Sequence, residues 1–210
     1  MKIVGGIGYI LNLIPFVNFI APILIGIAWI QMGGKARITL FRATGAFYLT
    51  SFILAIAVVA IFSSILLDIV GIIPAAVAGQ GVDPSLAGGF LSRLFGMAFT
   101  GLILMIVLAI IGFITFILEL AAHFRAGSAF GVGWFKAAAW LRIVLIIIVI
   151  ISVGVLFLSL TSTPLTDPTV ILSGFTLVLL AIIIPGILAQ IFSAIAFFTI
   201  PEVPPPPPQY

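Results

Sequence analysis

LRIVLIIIVIISVGVLFLSL, residues 141–160, is the stretch whose reading decides the fold. Beyond Arg142 it carries no charged side chain through Leu160. A bilayer core about 30 Å thick, crossed at about 1.5 Å per residue, takes roughly 20 apolar residues of helix. A membrane β-strand would instead alternate apolar and polar residues over about ten positions, which this run does not do. It specifies a membrane-spanning helix.

The rest of the chain has the same character. Of its 210 residues 64% are hydrophobic and 6% charged, more apolar surface than a water-soluble domain of this size can hide. The fold class is therefore all-α, a polytopic integral membrane helical bundle. Charge-free runs place about five transmembrane helices near residues 7–31, 43–67, 96–118, 143–161 and 169–199. These make a single transmembrane domain over residues 1–200, followed by a proline-rich tail, PEVPPPPPQY, at 201–210. Five consecutive prolines lack amide donors and favour polyproline II. The first run is too long for a secretory signal and leads into Lys35 and Arg37, so it reads as a retained span.

Charge sets the expected orientation. Lys35, Arg37 and Arg42 lie in one predicted loop, and Arg125, Lys136 and Arg142 in another on the same side. The opposite side holds Lys2 and Arg93 with Asp68, Asp83 and Asp167. The positive-inside rule then predicts a multi-pass protein of the cell membrane with its N-terminus outside and its C-terminus cytoplasmic. VDPS at 82–85 and TDPT at 166–169 read as helix starts, with Asp as the cap and Pro in the first helical position. Gly71, Pro74, Gly79 and Gly81 predict an interfacial segment, Gly88 and Gly89 a break, and Asp68 a pairing with Arg93. TLFRA at 39–43 aligns with GWFKA at 133–137 as though a unit were duplicated. Segments this rich in Ile, Leu, Ala and Gly align by chance, so the sequence alone does not establish a repeat.

Few residues can carry chemistry. With no cysteine there is no disulfide, thiolate nucleophile or cysteine metal site. GGKA at 33–36 and GVGWFK at 131–136 each lack the further glycine that a phosphate or dinucleotide loop needs. Glu119 and His123, four apart, share a helical face, but a metal needs more ligands than two. They read as a helix-end pair with Arg125 or Arg142 nearby, and no motif positions a serine for His123 to activate. The middle of every predicted span lacks ionisable groups, which counts against proton-coupled transport. No catalytic residue, metal or cofactor is expected.

Two faces remain as candidates. Asn12, Pro15, Asn18 and Pro22 recur at helical spacing on the first span and mark a helix-packing or solute face. Ala189, Gln190, Ser193 and Ala196 on the last span mark an association face or an internal packing surface.

GGIGYILNLIPFVNFIAPILIGIAWIQ near the start, AFGVGWFKAAAWLRIVLI in the middle and AIAFFTIPEVPPPP at the end together resemble the archaeal membrane family catalogued as domain of unknown function 996. The resemblance implies a multi-spanning protein of an archaeal plasma membrane. It brings no established activity and no site residues. The expected function is that of a non-catalytic accessory or scaffold subunit, with the bilayer and other membrane proteins or itself as partners and no nucleic acid. The alternative is a small transporter or channel for an uncharged or weakly polar solute.

Overall fold

The computed structural model describes residues 1–77, 84–162 and 168–201. They form six α-helices: α1 (Lys2–Leu11), α2 (Ala21–Ala36), α3 (Thr39–Val77), α4 (Pro84–Phe130), α5 (Gly133–Ser162) and α6 (Pro168–Phe198). A short 3-10 turn, Asn18–Ile20, precedes α2. Five stretches are long and apolar enough to cross a membrane: Asn18–Ala36, Thr39–Ser64, Phe95–Phe130, Gly133–Val155 and Val178–Phe198. The protein is thus an all-helical, multi-pass membrane protein.

The first predicted span, 7–31, is not one helix. Pro15 cannot donate to a helical ladder, and Phe16 adopts a left-handed conformation with φ of 66°. The chain reverses there. A Cβ on Gly8 would lie 3.0 Å from the backbone nitrogen of Ile25, and Trp29 reaches the Tyr9 hydroxyl, so α1 runs antiparallel to α2. Gly5 and Gly6 are likewise filled by the rings of Phe197 and Phe198, which seats the start of α1 beside the end of α6. Small residues let helix backbones approach closely where lipid supplies no hydrophobic drive to association.

Other expectations are corrected. Residues 119–142 are not a loop, since α4 runs to Phe130, α5 begins at Gly133, and only Gly131 and Val132 intervene. α3 continues through Gly71 and Pro74, and α4 through Gly88 and Gly89, without the predicted interruption. Breaking an apolar helix would expose unpaired backbone groups, which in lipid costs several kcal/mol, more than the ~1 kcal/mol that a helical glycine costs. α4 and α6 do begin at the prolines of the two helix-start signatures, Pro84 and Pro168. Gly79, Gly81, Asp83, Asp167 and the proline-rich tail lie outside the described residues, as do the side chains of Asp68 and Arg93.

The chain divides into two compact units, Met1–Ala46 with Ile117–Tyr210, and Phe47–Phe116. The second is an antiparallel pair formed by parts of α3 and α4. Ser51 and Thr115 hydroxyls lie 3.1 Å apart there, and Gly101 sits against Ile61 and Phe62. Ile53, Val59, Phe95 and Phe113 are all more than half exposed, as lipid-facing side chains are.

The first unit contains a structural repeat. A shift of 94 positions carries the end of α2, Ala36, onto the end of α4, Phe130, and the start of α3, Thr39, onto the start of α5, Gly133. The same shift carries Arg37, with φ of 56°, onto Gly131, with φ of 68°. Trp29, Met32, Gly33, Phe41, Thr44 and Gly45 are buried, and so are their equivalents His123, Ala126, Gly127, Phe135, Ala138 and Ala139. The alignment of TLFRA with GWFKA therefore has a structural basis, although Ala28, Gly33, Phe41 and Ala43 are the only identities between residues 25–48 and 119–142.

Candidate functional site

The polar centre of the first unit lies where the two repeated hairpins meet α1 and α6. Along α4, His123 stands seven residues before Phe130, and along α5, Arg142 stands nine after Gly133. At about 1.5 Å per residue both lie roughly 10–14 Å inside the end of the unit where the hairpins turn. Exposed Arg125 and Lys136 lie nearer that end, so the centre is deeper than the cations that mark it.

Glu119 and Arg142 form a buried ion pair, with Arg142 Nη2 donating to Glu119 Oε1 at 2.7 Å. The Tyr9 hydroxyl donates to the same oxygen at 2.7 Å and accepts from Trp29 Nε1 at 3.0 Å. Arg142 Nη1 donates to the Ser193 hydroxyl at 3.0 Å and to the Ala138 carbonyl at 3.3 Å, while the guanidinium lies 5.8 Å from the centre of the Tyr9 ring. A desolvated charge is tolerated only when paired and hydrogen-bonded, and here both ions are. Trp29, His123, Phe135 and Phe197 close round it, with Trp29 5.2 Å from both His123 and Phe197.

His123 is wholly buried. Its Nδ1 is 2.8 Å from the Glu119 carbonyl, which only accepts, so Nδ1 carries a proton. Its Nε2 is 3.0 Å from the Ser193 hydroxyl, which also donates to the Ala189 carbonyl at 2.7 Å. One hydroxyl proton therefore faces two acceptors, and the oxygen already receives Arg142. The distance is that of a nucleophile and its base, but both residues have no solvent-exposed surface. Both imidazole nitrogens and Glu119 Oε1 are engaged by protein atoms, the atoms a metal would have to take.

The structure thus brings together Glu119, His123 and Arg142, and leaves Arg125 exposed and apart. These three lie within the apolar stretches Phe95–Phe130 and Gly133–Val155, just outside the charge-free runs 96–118 and 143–161 read from the sequence. A length rule that ends a span at its first charge could not see that the charges neutralise one another. Tyr9, Trp29 and Ser193 complete the centre from elsewhere in the chain.

The two candidate faces fare differently. Asn12 caps α1, Pro15 and Asn18 lie in the turn, and Pro22 is in α2, so they do not share one helical face. Ala189, Ser193 and Ala196 are buried inside the chain and pack internally. Gln190, half-buried beside them, has its Oε1 buried without a hydrogen-bond partner among the described residues. The signal that the sequence reading missed is the GGIG run at residues 5–8, whose three glycines make the close approaches of α1.

No family model, curated protein or solved structure matches the chain.

Proposed function

We propose that the protein is a non-catalytic component of a membrane assembly, an accessory or scaffold subunit. The observation that supports this reading is the closed polar centre. Its ions, hydroxyls and imidazole tie α1, α2, α4, α5 and α6 to one another. Such a centre fixes one arrangement of helices and so presents constant outer faces to partner proteins or further copies. The likeness to the domain of unknown function 996 family belongs to this reading as a statement of class alone. In native membrane extracts the chain is expected to migrate well above its own 22.2 kDa. Migration as a lone chain, allowing for its detergent or lipid, sinks the proposal.

A second reading, a small transporter for an uncharged solute, is favoured by the interrupted helix at Asn12, Pro15 and Asn18, since broken helices can line solute sites. Solute flux into liposomes by the pure protein, lost in Asn18→Leu, would support it.

The basic end of the first unit reads as cytoplasmic. α1 begins beside the end of α6, so the beginning of α1 and the end of α6 belong on one side, and the hairpin of α1 and α2 makes an even passage. This replaces the outside N-terminus expected from charge counting, and moves Lys2 to the basic side. Lys2→Cys and Ser128→Cys are expected to resist an impermeant thiol reagent in intact cells while Gln80→Cys reacts. Labelling of Lys2→Cys with protection of Ser128→Cys would restore the opposite placement.

A further inference from the structure

The repeated hairpins share one more device. A Cβ on Gly33 would lie 2.6 Å from Arg42 Cγ, and a Cβ on Gly127 would lie 2.6 Å from Lys136 Cγ. Arg42 and Lys136 are themselves related by the shift of 94 positions. In both hairpins a bare glycine backbone lets the aliphatic stem of a cation lie across the facing helix, while the residue as a whole stays exposed. Holding the stem limits where the charge can go.

Other exposed cations stand beside each: Lys35 and Arg37 in the first hairpin, Arg125 in the second. Among the described residues the one carboxylate of this unit is Glu119, which is buried and held by Arg142. The exposed cations therefore meet no described counter-charge from the unit itself. They stand where Asn18–Ala36 meets Thr39–Ser64 and where Phe95–Phe130 meets Gly133–Val155, at the boundaries of apolar spans. Trp134 and Trp140 are exposed beside the second cluster and Ile30 beside the first. A phosphate next to apolar and aromatic surface matches an amphiphile better than a free anion.

We propose that the two hairpin turns are two equivalent seats for the headgroup phosphate of anionic phospholipid, with Arg42 and Lys136 as the corresponding contacts. Each seat takes one lipid.

Native mass spectrometry of the full chain released from detergent supplemented with phosphatidylglycerol tests this. The wild type is expected to retain two lipids, Arg42→Gln one, Lys136→Gln one, and the double variant none. Arg42→Lys, which keeps the charge, is expected to retain both and shows that the site tolerates substitution. Phosphatidylcholine at the same concentration should not be retained, and millimolar inorganic phosphate should not displace phosphatidylglycerol. The proposal is overturned if the double variant binds as the wild type does, if either single variant loses both lipids, or if phosphatidylcholine binds equally. Displacement by inorganic phosphate would make the ligand a free anion and overturn the lipid assignment.

Discussion

The hairpin of α2 and α3 and the hairpin of α4 and α5 share helix ends, a left-handed residue at the turn, a buried phenylalanine and a cation laid over glycine. They differ in what lies between. Where the first has buried Ile25 and Trp29, the second has buried Glu119 and His123, with Arg142 paired to Glu119. One backbone plan thus carries an apolar and aromatic interior in one copy and a charged one in the other. The plan is held by glycines and turn conformation, which ignore side-chain polarity, while the centre is held by pairings that have no counterpart across the repeat. Trp29 and His123, equivalent positions under the shift, lie 5.2 Å apart.

The largest effect should come from unbalancing the charged copy. Arg142→Leu leaves Glu119 buried without its cation, and breaking one partner of such a pair costs about 3–5 kcal/mol. Adding Glu119→Leu makes the second hairpin resemble the first, and the double variant should recover most of that loss in detergent unfolding. A double variant as unstable as the single would mean that the ion pair is not a replaceable filling of a common plan.

A smaller effect separates the two glycines. A Cβ at Gly33 meets the backbone nitrogen of Arg42 at 2.8 Å and the carbonyl of Ile38 at 3.0 Å, whereas at Gly127 its three nearest atoms all belong to the stem of Lys136. A flexible stem can swing aside and backbone cannot. Gly33→Ala should therefore cost about 1–3 kcal/mol of overpacking, and Gly127→Ala clearly less. Equal losses would show that the two turns are equally rigid, and would remove this distinction between the copies.

Hydropathy made the helical class legible because lipid demands long apolar runs, and the Asp-Pro signatures marked the starts of α4 and α6 because proline suits the first helical turn. The reversal at Phe16 was not legible, since Asn12, Pro15, Asn18 and Pro22 also fit a kinked continuous helix. The polar centre was legible only in part. The four-residue spacing of Glu119 and His123 placed them on one face, with Arg142 as one of two named cations. Tyr9 lies 110 positions from Glu119 and Ser193 70 positions from His123, and neither pairing leaves a local pattern. The repeat was hidden because burial, not residue type, is what the two copies share.

The smallest predicted effect concerns Ser193, on α6 and so outside both hairpins. Ser193→Ala removes an acceptor from Arg142 and a partner from His123 Nε2, yet Arg142 keeps Glu119 and Ala138, and His123 keeps the Glu119 carbonyl. The loss should be about 1 kcal/mol, that of an ordinary hydrogen bond, and Ser193→Leu should cost more because the site has no exposed surface to yield. The same variant tests the non-catalytic reading, because Ser193 and His123 stand at the separation of a nucleophile and its base. If the protein turns over an ester or peptide and Ser193→Ala abolishes that turnover while unfolding shifts only slightly, the centre is catalytic and the scaffold reading fails. A variant that keeps its assembled mass in native extracts, with only the small stability loss, is the outcome expected of a hydroxyl whose role is to hold Arg142 and His123 in place.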